Sequence, residues 1–586
     1  RWIGGAALMG GTQMLSGAPE IILLSWLMLS AIALLDLLET RKEGSEITAS
    51  PRQIILRFGS VVGLISLLAA PQLLPFMDML AHSPRTGESE FIDWPIPLLG
   101  WANFFVPLFH MQTSATGAWS QIGQGWTHSY YAGVGILWLA LIALMRERNR
   151  MTVFLTIAFV GALVLGMGDK TPVYPAVAQV IPLQFMRFPV KFIVIATIAL
   201  PLLAAYGARG LQRPKQEAQN LAISAMVIGA LLMTVYWLIG AKPDELAHPA
   251  EAYQNAEARI LLFALVAGAL LCVANASLAK LRTLISIGVL IVLWFDLKGH
   301  QPNLAPTIKR SNYTRENPTL GRLAPGVIEG RERVMLLGLT QMQNNFRKQS
   351  TVEENFIQNR LDLYSNLNLP EGVAKIDGFF SMWFPEKKEV ETLLYRLGTT
   401  NAMPGLADFL AIRNLSSPTR FMDWQERSTA RPLITAGQAP VFIGPTNTID
   451  RMSQPDWDSS KEVFLRPEVK DRVEAEASQE AEVIEPSFTA HEVKFKVNSP
   501  VPTIAVVAQN FYHPWKASVD GNSVELLRAN HAFQAVAVPE GEHEVVIRYV
   551  DRKFQAGLVL SMIGIVACAV LMCRQKMPAV DDGEAA

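Results

Sequence analysis

The feature that most constrains the fold of this chain is its series of long apolar runs. A run of roughly 16–22 apolar residues can cross the hydrocarbon core of a bilayer as a helix. Half of all residues are hydrophobic and only 18% are charged. The sequence therefore predicts a polytopic α-helical membrane protein with about ten spans in this chain. The predicted spans are residues 2–16, 20–38, 53–72, 130–145, 151–168, 191–208, 219–240, 259–278, 283–296 and 555–573.

The cations in the loops predict which ends of the spans face the cytoplasm. Lys and Arg are enriched in the short cytoplasmic loops of membrane proteins. Here they concentrate in every second loop, so a multi-pass protein with one large extracytoplasmic region is predicted. The cation-rich, cytoplasmic segments are 39–52, 146–150, 208–215, 280–282 and 574–576. The segments 17–19, 73–129, 169–190, 241–258 and 297–554 are predicted to lie outside.

Charge and composition argue against several classes of protein. A net charge of −1 gives no reason to expect nucleic acid as a partner. The three cysteines show no spacing typical of a zinc site. Arg57, Asp36 and Asp296 lie near the ends of predicted spans, and the scarcity of charge at span centres argues against an ion-coupled transporter. Because the first apolar run begins directly after Arg1, we expect preceding N-terminal spans to be missing.

The polar region between the last two spans divides into two parts. Residues 297–483 mix helix-like and strand-like stretches, which predicts an extracytoplasmic α/β region. Residues 484–554 contain short alternating strands, with a hairpin turn at Asp520-Gly521, which predicts an antiparallel β-sandwich. Trp515 in this part is either a platform for a sugar or an aromatic of the sandwich core or edge, and we favour the second interpretation.

Several strings in the chain resemble the YfhO family of bacterial membrane proteins. The C-terminal string is similar to the family's pattern at Tyr512, Pro514, Trp515, Val519, Asp520, Gly521, Arg528, Ala529, Asn530, Pro539, Gly541 and His543. The stretch 165–192, with "FMRFPVKF" at its end, is similar to a second family motif, although Lys191 replaces the usual Arg. "GAPE" at 17–20 resembles a Gly-His-Pro motif with Ala18 in place of His, and 406–415 is similar to a further stretch.

The resemblance implies a glycosyltransferase-like membrane protein of the C-type (GT-C) superfamily in the bacterial cytoplasmic (inner) membrane. Such enzymes take a sugar from a polyprenyl-phosphate carrier on the outer face of the membrane. They add it to an envelope glycan, a polymer or a protein. The superfamily's catalytic carboxylate lies in the first outer loop, which we expect to precede the present chain, so the resemblance assigns it to no residue here.

Arg187 and Lys191 are the predicted binding residues for the phosphate of the lipid carrier. Arg suits phosphate because its planar guanidinium gives paired, charge-assisted hydrogen bonds. Both residues lie on the predicted outer side, against the general cation bias. The alternative is that they anchor the span by reaching lipid phosphates while neighbouring Phe side chains enter the bilayer. The two interpretations stay equally weighted at this stage.

The long outer loop at 73–129 holds the candidate catalytic carboxylates Asp78, Glu88, Glu90 and Asp93. A sugar transferase needs a carboxylate to deprotonate or orient the acceptor, and a divalent metal is the cofactor that such a group could hold. No metal-ligand set is assigned, because acidic pairs are common in exposed loops. The simpler interpretation, a solvated acidic loop, is favoured.

These observations predict that the chain has five segments, and they lead to two main hypotheses on its function. The first hypothesis is a polyprenyl-phosphate-dependent membrane glycosyltransferase whose sandwich positions the acceptor. The second is a non-catalytic membrane scaffold whose outer domain binds glycan or protein, and a lipid-carrier transporter is a weaker third. The predicted segments are a GT-C-like membrane domain (1–296), the α/β region (297–483), the sandwich (484–554), a last span (555–573) and a cytoplasmic tail (574–586).

Overall fold

The computed structural model divides the chain into two compact units. The helical unit comprises residues 1–69, 86–306 and 561–586, and the β-rich unit comprises 70–85 and 307–560. Each unit is described by itself. The described residues are all except 41–46, 84–93, 114–118, 128, 147, 181–185, 187, 211–213, 276–278, 301–306, 348–350, 381, 397–402, 418, 421 and 574–586.

Most of the described residues before residue 300 are helical, and further helices occur in the β-rich unit. In chain order they are α1 (Trp2–Leu15), α2 (Pro19–Glu39), α3 (Pro51–Leu68), α4 (Ala70–His82), α5 (Val134–Arg146), α6 (Arg150–Gly166), α7 (Val173–Ala178), α8 (Ile193–Gly210), α9 (Pro214–Ala241), α10 (Pro249–Asn275), α11 (Ala279–Gly299), α12 (Ser311–Thr314), α13 (Pro325–Ile328), α14 (Gly338–Phe346), α15 (Val352–Leu361), α16 (Pro385–Arg396), α17 (Pro404–Phe409), α18 (Pro445–Met452) and α19 (Arg552–Cys573).

The helical membrane character predicted from the apolar runs is confirmed, but the number of spans is not. Each of the ten predicted runs overlaps a helix. Within the described part of the chain, six helices are long and apolar enough to cross a bilayer. The remaining four predicted spans therefore stay predictions. The six are Pro19–Glu39, Pro51–Leu68, Pro189–Arg209, Gln219–Ala241, Pro249–Leu271 and Arg552–Cys573.

Capping side chains set the starts of two helices of the helical unit, α3 and α6. Ser50 accepts a hydrogen bond from the backbone N–H of Gln53, and the Gln53 side chain accepts one from the N–H of Ser50. This reciprocal capping box, followed by Pro51, fixes where α3 begins. Asn149 caps α6 in a similar way, by accepting from the N–H groups of Met151 and Thr152.

One expectation about the spans is wrong. The predicted span at 259–278 placed Arg259 at its edge, but α10 begins ten residues earlier, at Pro249, so Arg259 lies well inside the helix. Its guanidinium is buried and pairs with the carboxylate of Asp296 on α11. Tyr131 donates a hydrogen bond to the same carboxylate at 2.6 Å. A buried charge is thus tolerated here because it is paired and hydrogen-bonded.

The helices of the helical unit pack around a core centred on α5 and α8. Trp138 on α5 is fully buried and donates a hydrogen bond from its indole N–H to Ser224 Oγ on α9 at 2.7 Å. Gly207 on α8 faces α5 so closely that an added Cβ would overlap the backbone carbonyl of Leu139. Small residues at such crossings allow membrane helices to approach closely.

Replacing Gly207 by alanine is expected to loosen this crossing and to lower the thermal stability of the protein. The obstructing atom belongs to the backbone and cannot move as a side chain would, so we expect a cost of about 1–3 kcal/mol. Gly161→Ala on α6 is the matched control, since a Cβ there meets no atom within 4 Å. The unfolding temperatures of both variants in detergent test this; equal temperatures would contradict the close approach.

The described strands form four sheets, of which three lie in the β-rich unit and one, formed by two short strands, lies in the helical unit. In chain order they are β1 (Met111–Thr113), β2 (Trp119–Gln121), β3 (Arg333–Met335), β4 (Ile412–Ser416), β5 (Trp424–Glu426), β6 (Ile434–Ala436), β7 (Ala439–Phe442), β8 (Glu462–Leu465), β9 (Glu482–Phe488), β10 (Glu492–Ser499), β11 (Thr503–Asn510), β12 (Trp515–Val519), β13 (Asn522–Val524), β14 (Leu527–Ala529), β15 (Phe533–Val538) and β16 (Gly541–Tyr549).

Two of these sheets share one hydrophobic core. One sheet has the order β13-β12-β16-β10-β9 and the other β6-β11-β15-β14-β8-β7. Buried side chains of both, such as Phe495 on β10 and Phe533 on β15, belong to a single cluster. The burial along β10 alternates, as expected for a strand with one face on a core. The prediction of strands in this part of the chain is confirmed.

The sheets extend beyond the boundary predicted at residue 484. Strands β6, β7 and β8 precede that position, yet they belong to the six-stranded sheet, and β7 pairs with β8 in parallel. All pairs formed among β9 to β16 are antiparallel, as predicted. The hairpin at Asp520-Gly521 is also confirmed: Val519 pairs with Asn522, and both turn residues have positive φ.

Candidate functional site

The structure describes two of the six predicted site residues. Asp78 lies on α4 in the β-rich unit, and Lys191 lies directly before α8 in the helical unit. The others, Glu88, Glu90, Asp93 and Arg187, lie outside the described residues. The surroundings of Asp78 and Lys191 are therefore considered separately.

Lys191 forms a buried ion pair with Glu20. Its ammonium Nζ lies 2.9 Å from Glu20 Oε1, and only 8% of the Lys191 side chain and 14% of the Glu20 side chain are exposed. The two residues are 171 positions apart in the chain. The pair thus joins the two short motifs that contain "GAPE" and "FMRFPVKF". We call the pair and the aromatic rings around it the Glu20–Lys191 site.

The local backbone explains why both charged groups stand at helix starts. Gly17 and Ala18 both have positive φ, and Pro19 then begins α2, which places Glu20 in its first turn. A carboxylate is favoured there because the helix dipole is positive at its N-terminus. Lys191 lies in a 3-10 turn, Pro189–Phe192, directly before α8. The dipole disfavours a cation at that end, and Glu20 offsets this cost.

Aromatic rings surround the Lys191 ammonium. Its Nζ lies 4.9 Å from the ring centroid of Phe188 and 5.7 Å from that of Trp126, within the range of cation–π attraction. Trp94 stacks on Phe188 with 4.4 Å between centroids. The site thus combines a cation, a carboxylate and aromatic walls. They lie at helix ends that the Lys and Arg content of the loops predicts to be on the same side of the membrane.

Glu20 is the functional candidate that the sequence interpretation missed. "GAPE" was considered only for its likeness to a Gly-His-Pro motif. The signal that could have identified Glu20 was its position: it begins a span at the same predicted outer side as Lys191. A second ion pair agrees with the predicted sides of the helix ends. Arg150 at the start of α6 contacts Asp36 near the end of α2 at 2.9 Å, and both ends are predicted to face the cytoplasm.

Asp78 is the centre of a hydrogen-bonded cluster in the β-rich unit. Its Oδ2 accepts from the Tyr512 hydroxyl and from His513 Nε2, each at 2.6 Å. Its Oδ1 accepts from the ammonium of Lys553 at 2.5 Å. His82, one turn further along α4, lies against the His513 ring with 4.9 Å between centroids. We call these five residues the Asp78 cluster.

The protonation state of Asp78 follows from these donors. Burial opposes its ionisation, but the hydrogen bonds from Lys553, Tyr512 and His513 outweigh this and hold the pKa well below its usual range. Burial and the adjacent Asp78 carboxylate raise the pKa of the Tyr512 hydroxyl. A carboxylate stabilised in this way is a weak base. The cluster is better suited to holding α4 in place within the β-rich unit than to acid–base catalysis.

A divalent metal fits the Asp78 cluster poorly. Ligand atoms of Asp78, His82 and His513 lie within 4.8 Å of one another, a set that could coordinate a metal ion. However, both carboxylate oxygens already accept from other groups, one of them from the positively charged Lys553. A cation entering here would have to overcome repulsion by that ammonium. We therefore propose that Asp78, one of the four candidate catalytic carboxylates, is a structural anchor.

Polar residues of the C-terminal string also form hydrogen bonds and ion pairs within the β-rich unit. Asn530 Oδ1 accepts from the N–H of Phe464 at 2.9 Å, and Asp520 pairs with His543 at 2.6 Å. Trp515 packs edge-on against Tyr549 and against the shared core. These contacts favour the interpretation of Trp515 as a core or edge aromatic rather than a sugar platform.

Comparison with known proteins gives one match, in the region of this string. Residues 472–561 match a family model described as "Bacterial membrane protein YfhO". Neither a curated protein nor a solved structure matches the chain. The matched segment runs from before β9 into α19 and includes Tyr512 and His513 of the Asp78 cluster. Residues 472–561 of this chain are therefore similar to the YfhO family of bacterial membrane proteins.

Proposed function

We propose that this protein is a membrane glycosyltransferase that transfers a sugar from a polyprenyl-phosphate carrier to an envelope glycan, polymer or protein on the outer face of the membrane. The observation that carries the proposal is the Glu20–Lys191 site. It brings a cation suited to a phosphate and a carboxylate suited to an acceptor hydroxyl to one point at the end of the membrane helices.

The chemistry assigns one role to each charged group. The acceptor oxygen forms a bond to the anomeric carbon, while the bond from that carbon to the phosphate oxygen breaks. The carrier leaves as a phosphate monoester with one more negative charge, which Lys191 stabilises. Glu20 takes the proton of the acceptor hydroxyl. Arg187, which lies outside the described residues, stays a predicted second phosphate ligand.

The ion pair also gives a reason for these steps to be coupled. In the present arrangement the Lys191 ammonium donates a hydrogen bond to the Glu20 carboxylate. A phosphate that draws the ammonium to itself removes this partner. Donor binding and proton acceptance by Glu20 are thereby linked. The aromatic walls formed by Trp126 and Phe188 keep water from the pair.

The position of the donor phosphate tests the proposal. A polyprenyl phosphate with a photoreactive group beside the phosphate is added to the protein in nanodiscs, irradiated, and the labelled peptides are identified by mass spectrometry. We expect labelling within the first turn of α2 and at 186–194. Labelling elsewhere, for example in the apolar groove lined by Met9, Trp26 and Phe58, would contradict the proposed donor site.

The alternative of a non-catalytic scaffold rests on a different feature of the same residues. Glu20 and Lys191 satisfy each other, so they could serve only to fix α2 beside α8. Under this alternative the β-rich unit binds glycan or a partner protein and the helical unit anchors it. A measurement of sugar transfer by the protein in proteoliposomes separates the two.

A further inference from the structure

The β-rich unit contains a small polar pocket away from the two sites described above. Its volume is about 200 Å³, below the roughly 300–1,000 Å³ of pockets for drug-sized ligands. It can therefore hold one small ring. The pocket is lined by residues of α14, of β4 and of the loop between β4 and β5, and by Asp362 directly after α15.

The pocket lies where the topology of the sheet favours a ligand. Strands β3 and β4 run parallel, and α14 follows β3 within two residues. In sheets with parallel strands, ligands bind outside the carboxyl ends of the strands, between the loops that leave them. Thr340 on the helix after β3, and Ser416 and Ser417 at the end of β4, line the pocket at this edge.

The side chains of the pocket are buried and polar. Thr340, Asp362, Ser416 and Ser417 are each at most 6% exposed. Ser416 Oγ donates to Thr340 Oγ1 at 2.9 Å and accepts from the N–H of Leu337 at 2.9 Å. The hydroxyls are thus held in fixed positions, and each retains acceptor capacity for a ligand.

The charges of the pocket balance. Arg347 and Arg420 contribute two guanidinium groups, and Asp362 and Asp423 contribute two carboxylates. Arg347 and Asp362 form a long ion pair at 3.4 Å. Such a set does not select for a net charge, which argues against a phosphate. It provides donors and acceptors in equal measure, as neighbouring hydroxyls of a ring require.

An aromatic side chain completes the wall. Trp424 lines the pocket and also packs against a small core that includes Val334 and Leu363. Small-molecule sites combine aromatic side chains with fixed polar groups, and in this pocket the polar groups predominate. From this arrangement we infer that the pocket at the carboxyl ends of β3 and β4 binds a single neutral sugar residue.

The inference deepens the proposed function, because a sugar held here would belong to the acceptor glycan. It does not depend on catalysis, and a scaffold would use the same pocket. Sugar binding and sugar transfer are therefore measured separately, and either can fail while the other holds.

The test is a binding experiment on the whole protein in nanodiscs. Saturation-transfer NMR detects the binding of glucose, galactose and N-acetylglucosamine. We expect at least one of these to bind. Asp423→Asn removes a carboxylate that lines the pocket and is expected to weaken binding about tenfold, the loss of one hydrogen bond to a charged group. Trp424→Phe is the second variant, and it keeps the packing on the small core.

Trp515→Phe is the matched control, since Trp515 is a half-buried aromatic of the same unit outside the pocket. Its binding is expected to equal that of the unsubstituted protein. The inference is overturned if no sugar binds, or if binding is lost in Trp515→Phe and kept in the two pocket variants. Displacement of the sugar by inorganic phosphate or by the zwitterion alanine would also overturn it.

Discussion

Replacing Lys191 by methionine is expected to abolish sugar transfer and to destabilise the helical unit. Breaking a buried ion pair by removing one partner costs about 3–5 kcal/mol. Glu20 is 14% exposed in its side chain, so little water can reach it to compensate. Glu20→Gln is expected to have the same two effects, with Lys191 as the uncompensated charge.

The double variant Glu20→Gln/Lys191→Met separates function from stability. It removes both charges, so most of the stability lost in the single variants should return. Transfer should not return, because both chemical groups are missing. The double variant Asp36→Asn/Arg150→Met is the control, since it removes another 2.9 Å ion pair of the helical unit and should transfer normally.

Two measurements on the same preparations check this prediction: the unfolding midpoint in detergent and the rate of transfer in proteoliposomes. If the Glu20/Lys191 double variant transfers sugar at the normal rate, the pair has only a structural role. If the Asp36/Arg150 variant also loses transfer, the loss does not report on the proposed site.

Replacing Asp78 by asparagine is expected to destabilise the β-rich unit by about 1–3 kcal/mol. Asparagine keeps an acceptor oxygen but loses the charge that Lys553 and His513 contact. The Lys553 side chain is 51% exposed and can be solvated after the change, so the cost stays below that of a fully buried pair. Asp456→Asn is the control: Asp456 pairs with Arg451 but is 78% exposed.

The pH dependence of this difference has a defined sign. The pKa of Asp78 is lowered in the folded protein from a usual value of 3.8. Its contribution is therefore fully present above that value and is lost as the pH falls through the folded pKa. The stability difference between the protein and Asp78→Asn should shrink as the pH falls from about 5 to about 2.

Denaturant unfolding of both proteins across this pH range checks the prediction. A difference that stays constant or grows as the pH falls below about 4 would contradict the assignment of the effect to Asp78. If added Zn²⁺ stabilises the protein and fails to stabilise Asp78→Asn, then Asp78, His82 and His513 form a metal site and the role of the cluster as a structural anchor is wrong.

The sequence predicts those features of the fold that depend on neighbouring residues. Apolar runs predict the helices, and Asp520-Gly521 predicts a hairpin turn because both of its residues tolerate positive φ. The start of α10 is missed because Glu251, Glu257 and Arg259 interrupt the apolar run, although polar residues continue the helix. The positions of charged residues along the chain do not predict that Arg259 pairs with Asp296.

The contacts of the candidate site depend on residues far apart in the chain. Glu20 and Lys191 are separated by 171 positions, and Asp78 and Tyr512 by 434. Loop charge predicts that the first two share a side of the membrane, but not that they touch. Nothing near Asp78 in the sequence indicates Lys553, whose ammonium changes the interpretation of this carboxylate from a catalytic group to an anchor.

The measurement that tests the central claim most directly is sugar transfer by the full-length protein in proteoliposomes. A panel of polyprenyl-phosphate sugars with a labelled sugar is supplied together with an envelope glycan fraction as acceptor. We predict that at least one donor transfers its label to the acceptor, and that Glu20→Gln/Lys191→Met fails to do so while Asp36→Asn/Arg150→Met succeeds. No transfer from any donor by correctly folded protein would contradict the enzyme and favour the scaffold.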